Sequence, residues 1–175
     1  MRRKRSEEAV LFVGCLFSSH EVFDEALPSL RRRFGDTFCE SPCVPWDYSA
    51  YYARELGTPL FRKFLFFDPL VDATALVETK LATGEMEDTL SIGGRRQINL
   101  DPGYLTLAKV VLASSKNYSH RIFLGEGVFC ELELFYEKGR FHPLPYTYFD
   151  YRDKAYLSVF SKARKLLKQK LDSRR

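Results

Sequence analysis

Two short apolar runs joined by Gly-Glu-Gly, over 119–124 and 128–136, constrain this chain more than any other feature. Only one register lets them share an apolar face. A two-residue turn at Glu126-Gly127 sets Ile122 opposite Glu131. A three-residue turn over 125–127 sets Leu124 opposite Val128 and Ile122 opposite Cys130. The second register keeps one face apolar, with a glycine at the left-handed turn position. It also sets Arg121 opposite Glu131 on the other face and turns His120 inward, opposite Leu132. Lys138-Gly139 makes a second tight turn into a return strand over 140–144, which Pro143 and Pro145 end. These three strands form a C-terminal β-meander. A terminal helix follows, capped by Asp150 or Asp153, with Tyr156, Phe160, Ala163 and Leu167 as its buried stripe.

The first half alternates strands with helices. Residues 9–17 form an apolar run suited to a buried strand. Ser18 and Glu21 make a capping box for a helix that places Phe23, Leu27, Leu30 and Phe34 on one face, kinks or breaks at Pro28, and stops at Gly35. Residues 36–45 are extended and, with Pro42 and Pro45, belong at a sheet edge. Asp47 caps a short helix that ends at Gly57, and 60–67 is a further strand. Asp72 caps a helix over 72–82, broken at Thr83-Gly84, and Gly93-Gly94-Arg95-Arg96 is a turn. After a short strand over 96–100, Asp101-Pro102 predicts a helix start. The helix over 102–114 is apolar on nearly all sides and suits the centre of the fold. The fold class is α+β: one domain with a mixed or antiparallel sheet and helices packed on it. Its limits are 9–171, with a basic arm over 1–8 and a basic tail over 172–175.

The net charge of +4 belongs to the ends. Arg2, Arg3, Lys4 and Arg5 precede the domain, and from Lys162 seven more cations face Asp172 alone; the middle is net acidic. The ends suit solvation, with nucleic acid as a partner they can contact. Glu7 and Glu8 interrupt what otherwise imitates a secretory signal. No run is long enough to span a membrane, so the cytoplasm is the expected location. Cys39 and Cys43 have a metal-like spacing but no second Cys/His pair completes a zinc site, so no metal is expected. No phosphate loop, dinucleotide fingerprint or nucleophile elbow is present, and the cofactor is open.

What chemistry there is lies in clusters. Lys116 and Arg121 flank His120, a candidate acid–base group whose carboxylate partner is Asp101 or Glu131. Glu131 and Glu133 share one strand face. Ten tyrosines are more than a core readily satisfies, and Tyr104, Tyr148 and Tyr151 with Arg152 are candidate ligand contacts. The leading expectation is a protein binding a small anionic ligand or nucleotide in a cleft lined by Lys116, His120, Arg121 and tyrosines. One alternative is an enzyme using His120. Another is an interaction module with a Tyr-rich surface for protein or nucleic acid. Oligomeric state is open.

LFVGCLFSS, FGDTFCESPCVPWDYSAYY and the run from INLDPGYLTLAKVV to PYTYFDYR resemble a prokaryotic family of uncharacterised proteins, a domain of unknown function. Some of its members are labelled GTP-binding. The resemblance covers nearly the whole chain and implies no mechanism. Its motif positions here are Asp47, Tyr48, Asp101, Pro102, Gly103, Tyr104, Lys116, His120, Arg121, Tyr148, Asp150, Tyr151 and Arg152. Phe149 stands where that family usually has proline.

Overall fold

The computed structural model describes residues 7–174. The first strand, β1 (Glu8–Phe17), is apolar at every position from Ala9 except Gly14, and the sheet explains why. Val10 and Phe12 point into one core, with Phe64, Phe66 and Phe160. Leu11, Val13, Cys15 and Phe17 point into another, with Phe23, Ala26 and Leu30. Side chains alternate along a strand, so a central strand covered on both faces must be apolar throughout.

α1 (His20–Phe34) covers the second face and α4 (Lys154–Asp172) the first. Between them run β2 (Thr37–Glu40), β3 (Val44–Trp46), α2 (Ala50–Leu56), β4 (Leu60–Asp72) and α3 (Leu76–Thr89). There follow β5 (Ile98–Leu105), β6 (Lys109–Ser114), β7 (Ile122–Gly125), β8 (Val128–Glu137) and β9 (Arg140–Pro143). Every pairing is antiparallel, in the order β2-β4-β1-β5-β6-β8-β7, with β3 on β4 and β9 on β8. This is the expected α+β single domain, with C-terminal strands and then a terminal helix; the strands are not a simple meander, since β7 and β9 share one edge of β8 and β6 holds the other. The stripe Tyr156, Phe160, Ala163 and Leu167 is buried as the spacing requires.

The predicted helix over 102–114 is instead the β5–β6 hairpin, and Asp101 is a strand residue that caps nothing. A continuous apolar run has no period to separate a buried strand from a buried helix. Gly103 is tolerated inside β5 because nothing larger fits. A Cβ there would collide with the Phe12 ring and the Val111 carbonyl. Gly103→Ala should therefore cost about 1–3 kcal/mol, visible as a lower denaturant midpoint. An unchanged midpoint would mean that β1 and β6 can move apart there.

Smaller differences concern ends. Ser19, not Ser18, caps α1: its hydroxyl oxygen accepts from the Val22 N–H at 3.4 Å and its O–H donates to Glu21 at 2.5 Å. The Ser18 hydroxyl reaches the Leu56 carbonyl instead. Ser49 rather than Asp47 caps α2. β4 runs on to Asp72, α3 passes through Thr83-Gly84 without a break, and β5 begins at Ile98. The 125–127 turn forms, with positive φ at all three residues, and Ile122 lies opposite Cys130 as expected. A bulge puts Gly125, not Leu124, opposite Val128. The apolar side chains of β7 are not buried: Ile122, Phe123 and Leu124 are 67%, 61% and 42% exposed. The basic arm falls largely outside the described residues, as does Arg175. No helix among the described residues is long and apolar enough to cross a membrane.

Candidate functional site

A cleft of about 580 Å³ opens where β5 and β6 part. The cause is one residue. Thr106 donates its N–H to Lys109, so alternate residues of β5 (106, 104, 102, 100) aim their backbone groups at β6. Pro102 sits in that series without an N–H. The ladder stops at Gly103–Leu112, and β6 diverges from there. α3 takes over the edge left open. The Glu87 carboxylate accepts the Leu100 N–H at 2.5 Å, and Lys80 Nζ donates to the Leu100 carbonyl at 3.3 Å. The wedge is walled by α2, α3, the end of β6, the β7–β8 turn and the loop before α4.

Its floor is an ionic cluster. Arg62 of β4 has the parity of Phe64 and Phe66 and is buried with them. Its guanidinium reaches Asp101 Oδ2 at 3.1 Å and Asp150 Oδ2 at 3.2 Å. β1 lies between β4 and β5, and the guanidinium crosses it at Gly14, whose added Cβ would stand 3.3 Å from it. Trp46 Nε1 donates to Asp150 Oδ2 at 2.9 Å, and Asn99 Nδ2 to Asp101 Oδ2 at 2.7 Å. Burial works against the Arg62 charge, but Asp150 and Asp101 outweigh it and hold its pKa above the ordinary value. The Tyr52 phenol is pushed up by the Asp101 charge and then by burial. Beside the floor, Arg96 donates twice to Glu55, at 2.7 Å each, and meets Glu87 at 3.1 Å. Its guanidinium is thus consumed internally and does not serve the turn before it.

Of the residues singled out from sequence, Asp101, Lys116, Tyr148 and Tyr151 line the cleft. Lys116 Nζ lies 4.6 Å from the Tyr51 ring centroid and donates to its hydroxyl at 3.2 Å. His120, Arg121 and Glu131 form a second group behind Tyr148. His120 is not turned toward Leu132 in the core. Its ring stacks on Tyr146 at 4.2 Å, and Nε2 lies 2.5 Å from Glu131 Oε2. Arg121 donates to Glu131 Oε1 from Nε and NH2, at 3.1 and 2.9 Å. It also reaches Ser114, the Lys116 carbonyl and, at 2.7 Å, the Tyr148 hydroxyl. Arg121 therefore positions three cleft residues rather than lining the cleft itself. Burial, with the Glu131 charge added, pushes the Tyr148 phenol up to about 12 and so keeps it protonated.

Tyr104 and Arg152 stand apart. Tyr104 packs by Leu76 and Val111 under α3. Arg152 donates to the Thr147 and Pro145 carbonyls and holds the loop before α4. Asp150 is part of the floor, and the cap of α4 is Asp153. Arg62, Asn99 and Lys80 were not singled out from sequence. For Arg62 a signal existed: a cation at the inward parity of an apolar strand. Cys39 is buried and Cys43 exposed. Among the described residues no three His, Cys, Asp or Glu side chains are grouped to hold a metal.

The family described as a domain of unknown function (DUF4416) matches residues 7–167. No curated protein and no solved structure matches the chain.

Proposed function

The chain belongs to that family, and we propose from its own geometry that the cleft binds a small anionic molecule bearing hydroxyl groups, of the nucleotide or sugar-phosphate class. One observation carries this reading: the lining groups left over after internal pairing. No carboxylate of the described residues is within ion-pair distance of Lys80 or Lys116; Glu87 and Glu55 act on them only from farther off. Beneath the cleft surface, Arg62 Nε and the Tyr151 hydroxyl are sealed polar atoms without a hydrogen-bond partner among the described residues, and a ligand does not touch them. The two lysines are the cations that an anion in the cleft meets. Asp101 uses only Oδ2 internally, so Oδ1 remains to accept from a ligand hydroxyl. Tyr51 and Leu81, both exposed at the cleft, offer apolar surface for a ring. The volume suits a ligand of this size.

The test is a melting-temperature screen with nucleoside phosphates, sugar phosphates and inorganic phosphate. A ligand at a hundred times its Kd adds about 2.7 kcal/mol, a rise of several degrees. Lys116→Ala should weaken a binder about tenfold or more. A wild-type protein unmoved by the whole panel sinks the reading.

A second reading, acid–base catalysis, has one specific observation in its favour: His120 held by Glu131. Asp101 is not its partner, being tied to Arg62 and Asn99. In this reading His120→Gln abolishes turnover of a bound ligand while leaving its affinity intact. Loss of affinity in step with turnover would return His120 to a supporting role.

A further inference from the structure

We propose that the outer face of α4 docks the phosphate backbone of a nucleic-acid duplex. The helix buries its apolar stripe, Tyr156, Phe160, Ala163 and Leu167, in the core. On the opposite face Lys162, Lys165 and Lys168 stand exposed among Ser158, Ser161 and Gln169. Among the described residues none of these three lysines has a carboxylate within ion-pair distance, whereas Lys170 beside them meets Asp68 at 2.6 Å. Asp172 is the one acidic residue in the helix. Solvated helix faces commonly alternate charge sign. Like charges three apart repel instead, and an anion laid along them relieves that repulsion.

The two basic ends of the sequence meet at this helix. Arg174 reaches Glu8, at the start of β1, at 3.1 Å, and Arg5 is three positions before Glu8. The chain therefore tethers Arg2, Arg3, Lys4 and Arg5 to the C-terminal end of α4. The acids that follow them, Glu7 and Glu8, already have Lys109 and Arg174 as partners. With the rest of the chain net acidic, positive charge gathers at this pole. Lysine suits a phosphate as a point charge. Among the described residues of α4 no large apolar side chain is exposed. Nothing there stacks on the bases of a single strand or inserts into a lipid surface. Backbone contact, indifferent to sequence, is what the face can make.

Fluorescence anisotropy with labelled duplexes of roughly 20 base pairs tests this between about 50 and about 200 mM salt. Two DNA duplexes of unrelated sequence should bind alike and weaken steeply as salt rises. Binding of an RNA duplex in the same manner supports the proposal equally, and the tighter of the two names the occupant. Each phosphate contact removed lowers the log–log salt slope by about one, so Lys162→Gln, Lys165→Gln and Lys168→Gln together should lower it by about three. The melting temperature should not change, since the three side chains are exposed. No binding at the lowest salt overturns the proposal. So does an unchanged slope in the triple variant, since the contact then lies on the arm or elsewhere. Tighter binding to vesicles of equal parts phosphatidylserine and phosphatidylcholine also overturns it, and makes the surface a membrane contact.

Discussion

Asp150→Ala should lower stability by about 3–5 kcal/mol, the usual cost of leaving one partner of a buried ion pair alone. For a chain of this length that is a melting-temperature drop of roughly 10 °C or more. Asp150 is 3% exposed and carries both the Arg62 guanidinium and the Trp46 indole N–H. Removing it leaves a buried cation with Asp101 as its one remaining carboxylate and with its Nε still without a partner among the described residues. The companion variant distinguishes charge from shape. Arg62→Met with Asp150→Leu removes both buried charges and fills both volumes, leaving the part-exposed Asp101 to Asn99, so it should recover part of the loss. If Asp150→Ala melts within a degree or two of wild type, the cluster does not hold the floor.

Glu133 predicts the second large effect, and it is a matter of pH. Its side chain is fully buried, Oε2 accepts from the Tyr148 N–H at 3.3 Å, and Oε1 has no partner among the described residues. Burial, then the nearby Glu131 charge, pushes its carboxyl up to about 9 from an ordinary 4.5. Between those values the folded chain keeps a proton that the unfolded chain has released. Stability is therefore full below the unfolded value and falls as pH rises through the window, by about 1.4 kcal/mol per unit. Glu133→Gln fixes the neutral state and should flatten that slope. Melting curves at intervals from pH 5 to 8 read it directly. Parallel profiles for wild type and variant would show that Glu133 is already ionised in the folded protein.

Local signals carried much of the architecture. The stripe of α4 and the 125–127 turn are written in neighbouring residues, as is the unbroken apolar run of β1, and the structure has them. The hairpin β5–β6 was not legible, because Asp101-Pro102 is equally a helix start and, here, the end of a strand ladder. Which meaning applies depends on β1 and β6, which no local window contains. The candidate site divides the same way. Lys116 and Tyr148 were found because basic and aromatic residues cluster along the chain. Arg62 was missed because its partners, Asp101 and Asp150, come from distant segments. His120 was misplaced for a related reason. Strand parity turned it inward, whereas it precedes the first residue of β7 and follows its carboxylate instead.

The path of Arg62 over Gly14 has a consequence for how the protein comes to be. Four segments meet at that crossing: β1, β4, β5 and the loop that carries Asp150. A chain made from its N-terminus has the first three long before the fourth. Until Asp150 docks, the guanidinium lacks its second carboxylate and the cleft lacks Tyr148 and Tyr151. The cleft is thus completed last, in the same step that completes the domain.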